Sequence, residues 1–262
     1  MFFKILFNYK LTIIFMSLLS SFKKQGDFLF KYRGQFPVLL FFLSLPFVSS
    51  IDYSSFALVH KQILMIVSIL FAFAGFLVRF YTVGTTTKGT SGRNTKKQVA
   101  KILNTSGVYS LLRNPLYFGN FLIWIGITIS TFSIYFIIVV SLLFWLYYER
   151  IIFTEEYFLE NKFGDKYVEW SNNTPVFFPN FSNFISSNTQ FSIISVLRRE
   201  YASVLSAVIG FIYIDLLKNY FITGTFMLNE FSLQILVFTL IVTFIFRTLK
   251  HYTNLLNEDG RS

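Results

Sequence analysis

Residues 62–83, QILMIVSILFAFAGFLVRFYTV, form an apolar run as long as a bilayer is thick, and no other feature limits the fold of this chain more. A helix crossing the hydrocarbon core needs about 20 largely apolar residues and pairs every backbone polar group within itself. Arg79, near the end of the run, is placed to snorkel toward the interface. Three further regions have this character. Residues 35–51 are short and contain Pro46, which predicts a kink. The block from Leu116 to Tyr148 is too long for one crossing and divides at Thr131-Phe132-Ser133, which predicts a tight helical hairpin. Residues 200–217 and 231–247 make two late crossings, joined by a polar loop with Asn219, Thr223, Gly224 and Asn229. The expected fold is all-α, a polytopic transmembrane bundle. Residues 1–22 have a short apolar centre behind Lys4 and Lys10. A cleaved signal, an interfacial helix and an anchor are all open, and the anchor is preferred because no small-x-small cleavage site follows.

Composition narrows the chemistry. Only 14% of residues are charged, against about 25% in soluble domains, and 54% are hydrophobic. With no cysteine, disulfides, thiolate metal sites and cysteine nucleophiles are excluded. His60 and His251, the only histidines, lack metal-site spacing, so no metal is expected. The net charge of +10 reads as loops facing anionic headgroups, and no nucleic-acid module accompanies it.

Basic residues orient the chain. Lys88, Arg93, Lys96, Lys97, Lys101 and Arg113 fall between two crossings with no acidic residue among them, which marks that loop as cytoplasmic. Each such charge would cost roughly 2.5–3.5 kcal/mol at the bilayer centre. Counting crossings from this loop puts Lys23, Lys24, Lys31, Arg33, residues 149–199, Arg247 and Lys250 on the same side.

Two polar patches flank the hairpin at that surface. In the first, Gly84, Gly89 and Gly92 make a flexible loop rather than a dinucleotide-binding turn, and Lys97 to Leu112 suggests amphipathic pieces broken at Ser106-Gly107. Then comes GVYSLLRNPLYFGN, residues 107–120. Pro115 biases Asn114 to an extended conformation and suits the first position of a helix. Helix-start N–H groups, an amide and the Tyr117 hydroxyl then meet at the membrane boundary, where they either hold a polar ligand or simply cap a membrane helix. The second patch continues the hairpin as a helix with adjacent Glu155 and Glu156, an apolar stripe of Leu159 and Phe163, and Gly164 as its C-cap. Ionised carboxylates only accept hydrogen bonds, which suits a diol or an ammonium group, although most such pairs are merely solvated.

The pairing of R-N-P-L-Y-x-G-N with E-E-x-x-L-x-x-x-F-G-x-x-Y-x-x-W and P-x-F-x-P resembles the isoprenylcysteine carboxyl methyltransferase and phospholipid methyltransferase group of integral-membrane enzymes. The resemblance covers about residues 93–180. It implies S-adenosyl-L-methionine as methyl donor, held between membrane helices and a cytoplasmic patch. Asn114, Pro115 and Tyr117 take the positions of the family's cofactor segment, Tyr109 that of a lining aromatic, and Glu155 and Glu156 those of the acidic pair. Leu103 and Asn104 are placed near the adenosine end, and Arg150 near an anionic acceptor as the catalytic basic residue. Asn114 stands where many members have histidine, and an amide does not titrate, so proton transfer at this position is excluded. The chain divides into residues 1–83, with anchoring and transmembrane helices, a methyltransferase core at 84–181, and residues 182–262, with a linker and two more crossings.

Methyl transfer from a sulfonium needs an acceptor lone pair. A carboxylate or phosphate oxygen is already ionised near neutral pH and needs no base, whereas an amine must first lose a proton. The expected acceptor is therefore an anionic oxygen on a lipophilic, membrane-embedded molecule, such as an isoprenylated carboxylate or a lipid A type phosphate. A phospholipid amine and a non-catalytic membrane protein of the same fold are the alternatives. Gly119, Gly126 and Ser130 share one face of the first hairpin arm, for helix packing or a substrate slot.

Overall fold

The computed structural model describes residues 2–87, 89–90 and 98–261, with side chains from Ser17 onward. Lys88, Gly92, Arg93, Lys96 and Lys97 of the expected basic loop lie outside the described residues. Among the described residues the fold is all-α: α1 (Phe2–Lys31), α2 (Val38–Ser49), α3 (Leu58–Gly84), α4 (Val108–Leu111), α5 (Pro115–Ile129), α6 (Ile134–Phe163), α7 (Asp165–Asn173), α8 (Ile193–Thr223) and α9 (Glu230–Tyr252). Of these, α3, α6, α8 and α9 are long and apolar enough to cross a membrane, and α2 and α5 are shorter apolar helices. The arrangement fits a multi-pass membrane protein.

The most extensive helix crossing joins α3 and α5. On α3, Ser68, Ala72 and Gly75 recur at spacings of four and three and so face one way. Gly119, Ile123 and Gly126 do the same on α5. A Cβ on Gly75 would stand 2.5 Å from the Gly119 carbonyl oxygen, and one on Gly126 would stand 2.5 Å from that of Ser68. Between lipid-facing helices association depends on close packing, and small residues allow it. The small face of α5 therefore packs on a helix. A similar approach holds α1 to α6, where a Cβ on Gly26 would overlap Thr154.

Helix α5 lies between two cores. Its Ile123 and Ile127 pack with Val48, Tyr53, Ala207, Ile214 and Leu217. Its Tyr117, Phe118, Phe121 and Trp124 pack against Phe30, Phe144, Tyr148, Ile151 and Phe177 on the other side. The hairpin turns at Ser130–Ser133, with Phe132 at φ 66°. This polar turn is tolerated because its carbonyls find donors: the Tyr53 hydroxyl donates to Thr131 O at 3.1 Å and Lys218 Nζ to Ser130 O at 3.1 Å. At the opposite end of the bundle the C-terminal tail closes over α3 and α8. Arg261 donates to Gly84 O at 2.9 Å, and the Ser195 hydroxyl donates to Glu258 at 3.2 Å. Helix ends that the charge pattern assigns to one side thus meet at one end. Asp215 joins α8 to α9 by accepting from Asn229 and Ser232, each at 2.9 Å.

Gly126→Leu should disrupt the α3–α5 crossing by forcing backbones apart, at a cost of about 1–3 kcal/mol or more. Gly34→Ala, where nothing lies within 4 Å, should be neutral. Thermal unfolding in detergent followed by tryptophan fluorescence compares the two; equal midpoints would show that the crossing does not depend on the glycine.

Candidate functional site

The chain from Gly107 to Asn114 and the chain from Asn173 to Ile185 are hydrogen-bonded into one seam. Gly107 N donates to Ile185 O at 2.8 Å, Asn180 N to Leu111 O at 2.9 Å and Arg113 N to Pro175 O at 2.8 Å. Side chains add to it: Asn114 Nδ2 donates to Val176 O at 3.1 Å, Trp170 Nε1 to Tyr109 O at 3.2 Å and Ser110 Oγ accepts from Ile185 N at 2.9 Å. Gly107 takes φ 62°, a conformation that turns the chain into α4 at little cost only for glycine. Asn114 takes φ −123° and ψ 59°, out of the helical region but short of the extended conformation that Pro115 leads one to expect, and Pro115 opens α5. Phe177, 5% exposed, plugs the seam into the membrane core. Its ring centroid lies 5.6 Å from those of Phe118 and Phe121 and 5.9 Å from that of Trp145.

Beneath the seam lies a cavity of about 300 Å³, at the lower end of the range for small-molecule sites, ~300–1,000 Å³. Tyr109, Asn114, Pro115, Tyr117, Glu155 and Glu156 all line it. Leu103 and Asn104 do not; among the described residues the parts of that loop that reach the cavity are Thr90 and Gln98–Ala100. Arg150 also lies outside. Its guanidinium covers the Phe22 ring at 3.7 Å, pairs with Glu149 and donates to Gln25 at 3.2 Å, so it belongs to the α1–α6 contact. Among the described residues, the arginines that do line the cavity are Arg33, Arg79, Arg113 and Arg199.

The twin glutamates face different partners. Glu156 pairs with Arg113 at 3.0 Å and Glu155 with Arg33 at 3.6 Å. Tyr117 packs on Tyr148 with tilted rings whose centroids lie 4.6 Å apart. Four buried polar side-chain atoms among the described residues lack a hydrogen-bond partner, and all four belong to residues lining this cavity: Gln98 Nε2, Arg113 Nε, Glu156 Oε1 and the Tyr167 hydroxyl. Leaving such a group unpaired costs about 1–3 kcal/mol, so a cluster of them marks a place built for a polar ligand. Burial, and then the Glu156 carboxylate, raises the Tyr167 phenol above its usual range, which keeps it a neutral hydrogen-bond donor at physiological pH.

A third cluster went unread in the sequence. Arg79 turns inward instead of snorkelling: its Nε donates to Glu200 Oε2 at 2.8 Å and its Nη2 to Glu200 Oε1 at 2.9 Å. Its Nη1 donates to Asn120 Oδ1, and Asn120 donates to the Tyr148 hydroxyl at 3.2 Å. Breaking a buried bidentate pair of this kind costs about 3–5 kcal/mol, because the remaining charge is stranded. The signal available in advance was Glu200 itself, a carboxylate at the start of an apolar run. Its partner, 121 residues upstream, was not legible.

With this geometry in view, the comparisons with known proteins become informative. Residues 63–166 match the phospholipid methyltransferase family. This stretch of the chain is similar to that family. The chain is also similar to the cobalt-zinc-cadmium resistance protein CzcN of Cupriavidus metallidurans, 38% identical over 100 residues that cover 38% of this chain and 46% of that protein. It is similar to the nickel-cobalt-cadmium resistance protein NccN of Alcaligenes xylosoxydans xylosoxydans, 33% identical over 112 residues, 43% of this chain and 50% of that protein. A third relative, the protein-S-isoprenylcysteine O-methyltransferase of Schizosaccharomyces pombe, is 30% identical over 80 residues, 30% of this chain and 34% of that protein. The chain therefore spans half or less of the length of these relatives. No solved structure matches. The phospholipid methyltransferase segment contains Arg79, Arg113, Asn114, Tyr117 and both glutamates, but not Tyr167, Trp170, Arg199 or Glu200.

Tyr167→Phe removes a buried hydroxyl that has no partner, so the unliganded protein should be as stable as the parent or more so. Trp170→Phe removes the indole N–H that bonds Tyr109 O, and should lower stability by about 0.5–1.5 kcal/mol. Paired thermal melts check the contrast. A clear loss of stability in Tyr167→Phe would mean that the hydroxyl is already satisfied.

Proposed function

We propose that the protein is an S-adenosylmethionine-dependent integral-membrane methyltransferase acting on an anionic oxygen of a lipophilic acceptor, with its site facing the cytoplasm. One observation carries this reading: the unpartnered buried polar atoms of Gln98, Arg113, Glu156 and Tyr167 converge on a cavity built largely from the family-matched core. Their chemistry fits the methyl donor. Gln98 and Arg113 offer N–H groups suited to its carboxylate, and Glu156 offers an acceptor for its ammonium or ribose hydroxyls. Tyr109, Tyr167 and Trp170 supply aromatic wall for its adenosine. When bound, S-adenosylmethionine supplies a methyl group on a sulfonium for in-line transfer to an acceptor lone pair.

The charges in the cavity support an anionic acceptor. Among the described residues four arginines and three carboxylates line it, which leaves one formal positive charge before a cationic donor enters. An anionic headgroup would offset that excess, and an ammonium would add to it. No histidine lines the cavity, while Glu155 and Glu156 each face an arginine. The residues present therefore suit binding, orientation and exclusion of water better than proton removal. Asn114, tied to Val176 O, positions the seam. The cytoplasmic assignment rests on Lys101, Arg113, Lys31 and Arg33, which gather at the cavity end of the bundle. The family description, phospholipid methyltransferase, favours one second reading, a lipid amine acceptor, for which Glu155, Glu156 or water would have to serve as base.

Purified protein in detergent should bind S-adenosylmethionine, and Glu156→Gln, through loss of one charge-assisted contact, and Tyr117→Ala, through loss of the ring and hydroxyl that line the cavity, should each weaken binding by about tenfold or more. Membranes given radiolabelled donor then report the acceptor. Label released by mild alkali indicates a carboxyl ester, stable label on a lipid that has lost negative charge indicates a phosphate ester, and stable label on a quaternary amine indicates the second reading. A parent protein that neither binds the donor nor transfers label contradicts the proposal.

A further inference from the structure

From Trp170 to Leu197 the chain carries no charged residue, although this stretch connects two spanning helices at the end of the bundle where basic residues gather. Soluble domains are about one-quarter charged. Its apolar side chains are also uncovered. Phe178 is 66% and Phe181 74% exposed, and Phe184 and Ile185 are exposed as well. An apolar patch of this kind outside the spanning helices marks a contact surface.

The two ends of the stretch show what it touches. Phe177 packs on Phe118 and Phe121, three and six residues into α5 from Pro115. At a rise of about 1.5 Å per residue, that places its ring roughly 5–9 Å along the helix from its start. Its other neighbour, Trp145, is half-exposed on α6, the span that also exposes Leu142 and Leu146. At the far end Phe191 covers Gly84, where a Cβ would stand 2.4 Å from its ring, and stacks on the exposed Tyr81 of α3 at 6.4 Å. Both ends thus rest on outer faces of spanning helices. Irregular backbone is tolerated at such depth only where its polar groups are paired. Here Pro175 O accepts from Arg113 N, Val176 O accepts from Asn114 Nδ2, and Asn180 N donates to Leu111 O.

From these observations we infer that residues 176–185 are inserted into the membrane leaflet at the cavity end of the bundle, with Phe178, Phe181, Phe184 and Ile185 in contact with lipid. Apolar faces that lie along a membrane reach about 5–10 Å into the boundary between headgroups and acyl chains, which matches the position of Phe177 along α5. The occupant of the patch is lipid because the patch continues the lipid-facing surfaces of α6 and α3. Its intervening polar residues, Asn180, Ser182 and Asn183, offer no charge for a protein partner to pair with. Helix α7, just before it, carries exposed Asp165, Lys166 and Glu169 and stays in water. Insertion holds the roof of the cavity at the lipid surface whichever ligand the cavity takes, so the inference does not rest on the methyl-transfer reading.

The chain has no cysteine, so single-cysteine variants take a nitroxide label without further changes. Phe178→Cys, Phe181→Cys and Phe184→Cys are labelled in the full chain and reconstituted in vesicles of phosphatidylcholine and phosphatidylglycerol. Lys166→Cys is the aqueous control and Leu142→Cys, exposed on α6, the lipid control. Power-saturation electron paramagnetic resonance measures collisions with oxygen, which concentrates in hydrocarbon, and with a water-soluble nickel chelate on both sides of the membrane. The logarithm of the oxygen-to-nickel ratio should be positive at the three phenylalanine sites, as at Leu142, and negative at Lys166. Thermal melts check that each variant folds, and three separate sites keep the test independent of any one of them. Ratios like that of Lys166 at the three sites overturn the inference and return the segment to water. Lipid-like ratios confined to Phe178 overturn it too, since a ring beside Phe177 requires no inserted loop. Labels shielded from both reagents also overturn it, and assign the patch to a contact between two copies of the chain.

Discussion

The seam between residues 107–114 and 173–185 is the constraint on which the rest of the structure depends. Both strands of chain leave regular helix close to the apolar bundle, where unpaired backbone groups are expensive. Each solves the problem of the other: Arg113 N finds Pro175 O, Asn180 N finds Leu111 O and Gly107 N finds Ile185 O. Phe177 then fastens the pair to the aromatic cluster around Phe118, Phe121 and Trp145. Because the seam roofs the start of α5 and the end of α6, it sets Arg113 against Glu156 and brings α7 over the cavity. Without it the two polar patches would be separate solvated segments.

Rigidity below the seam comes from close helix packing. The glycine and alanine faces of α3 and α5 bring their backbones nearly into contact, which fixes Arg79 on one helix relative to Asn120 on the other. Gly26 plays the same part for α1 and α6, and so brings Phe30 and Arg33 to the cavity rim. Positioning charged groups on packed helices instead of mobile loops is how a site at a membrane surface keeps its geometry. The elements that supply Arg33, Arg199 and Glu200 lie outside the family-matched stretch, so the cavity is completed by helices on either side of it.

Several features were legible because local physics decides them. Apolar run length announced α3 and the hairpin, Pro115 announced the start of α5, and Gly164 announced the end of α6, where it takes φ 55°. Other readings missed for a definite reason. Arg150 sits five and six residues before the glutamates, so its helical phase turns it to α1, but which face of α6 would meet α1 depended on Gly26 and Thr154. Leu103 and Asn104 belong to the right loop, yet its described residues that meet the cavity are Thr90 and Gln98–Ala100, since the path of an irregular segment is set by what it packs against. Arg79 was read as snorkelling because a lone basic residue near a helix end usually does so, and only its pairing with Glu200 turns it inward.

What the amino-acid sequence determined alone was an all-α membrane bundle, its hairpin and the two polar motifs, because hydrophobic length, proline, glycine and the excess of basic charge act over a turn or two of chain. What only the tertiary structure decided was which charges meet. Ion pairs such as Arg79 with Glu200 and Arg33 with Glu155 join residues more than 100 positions apart. Their existence follows from the approach of whole helices, which small-residue faces and the seam bring together and which no local pattern encodes.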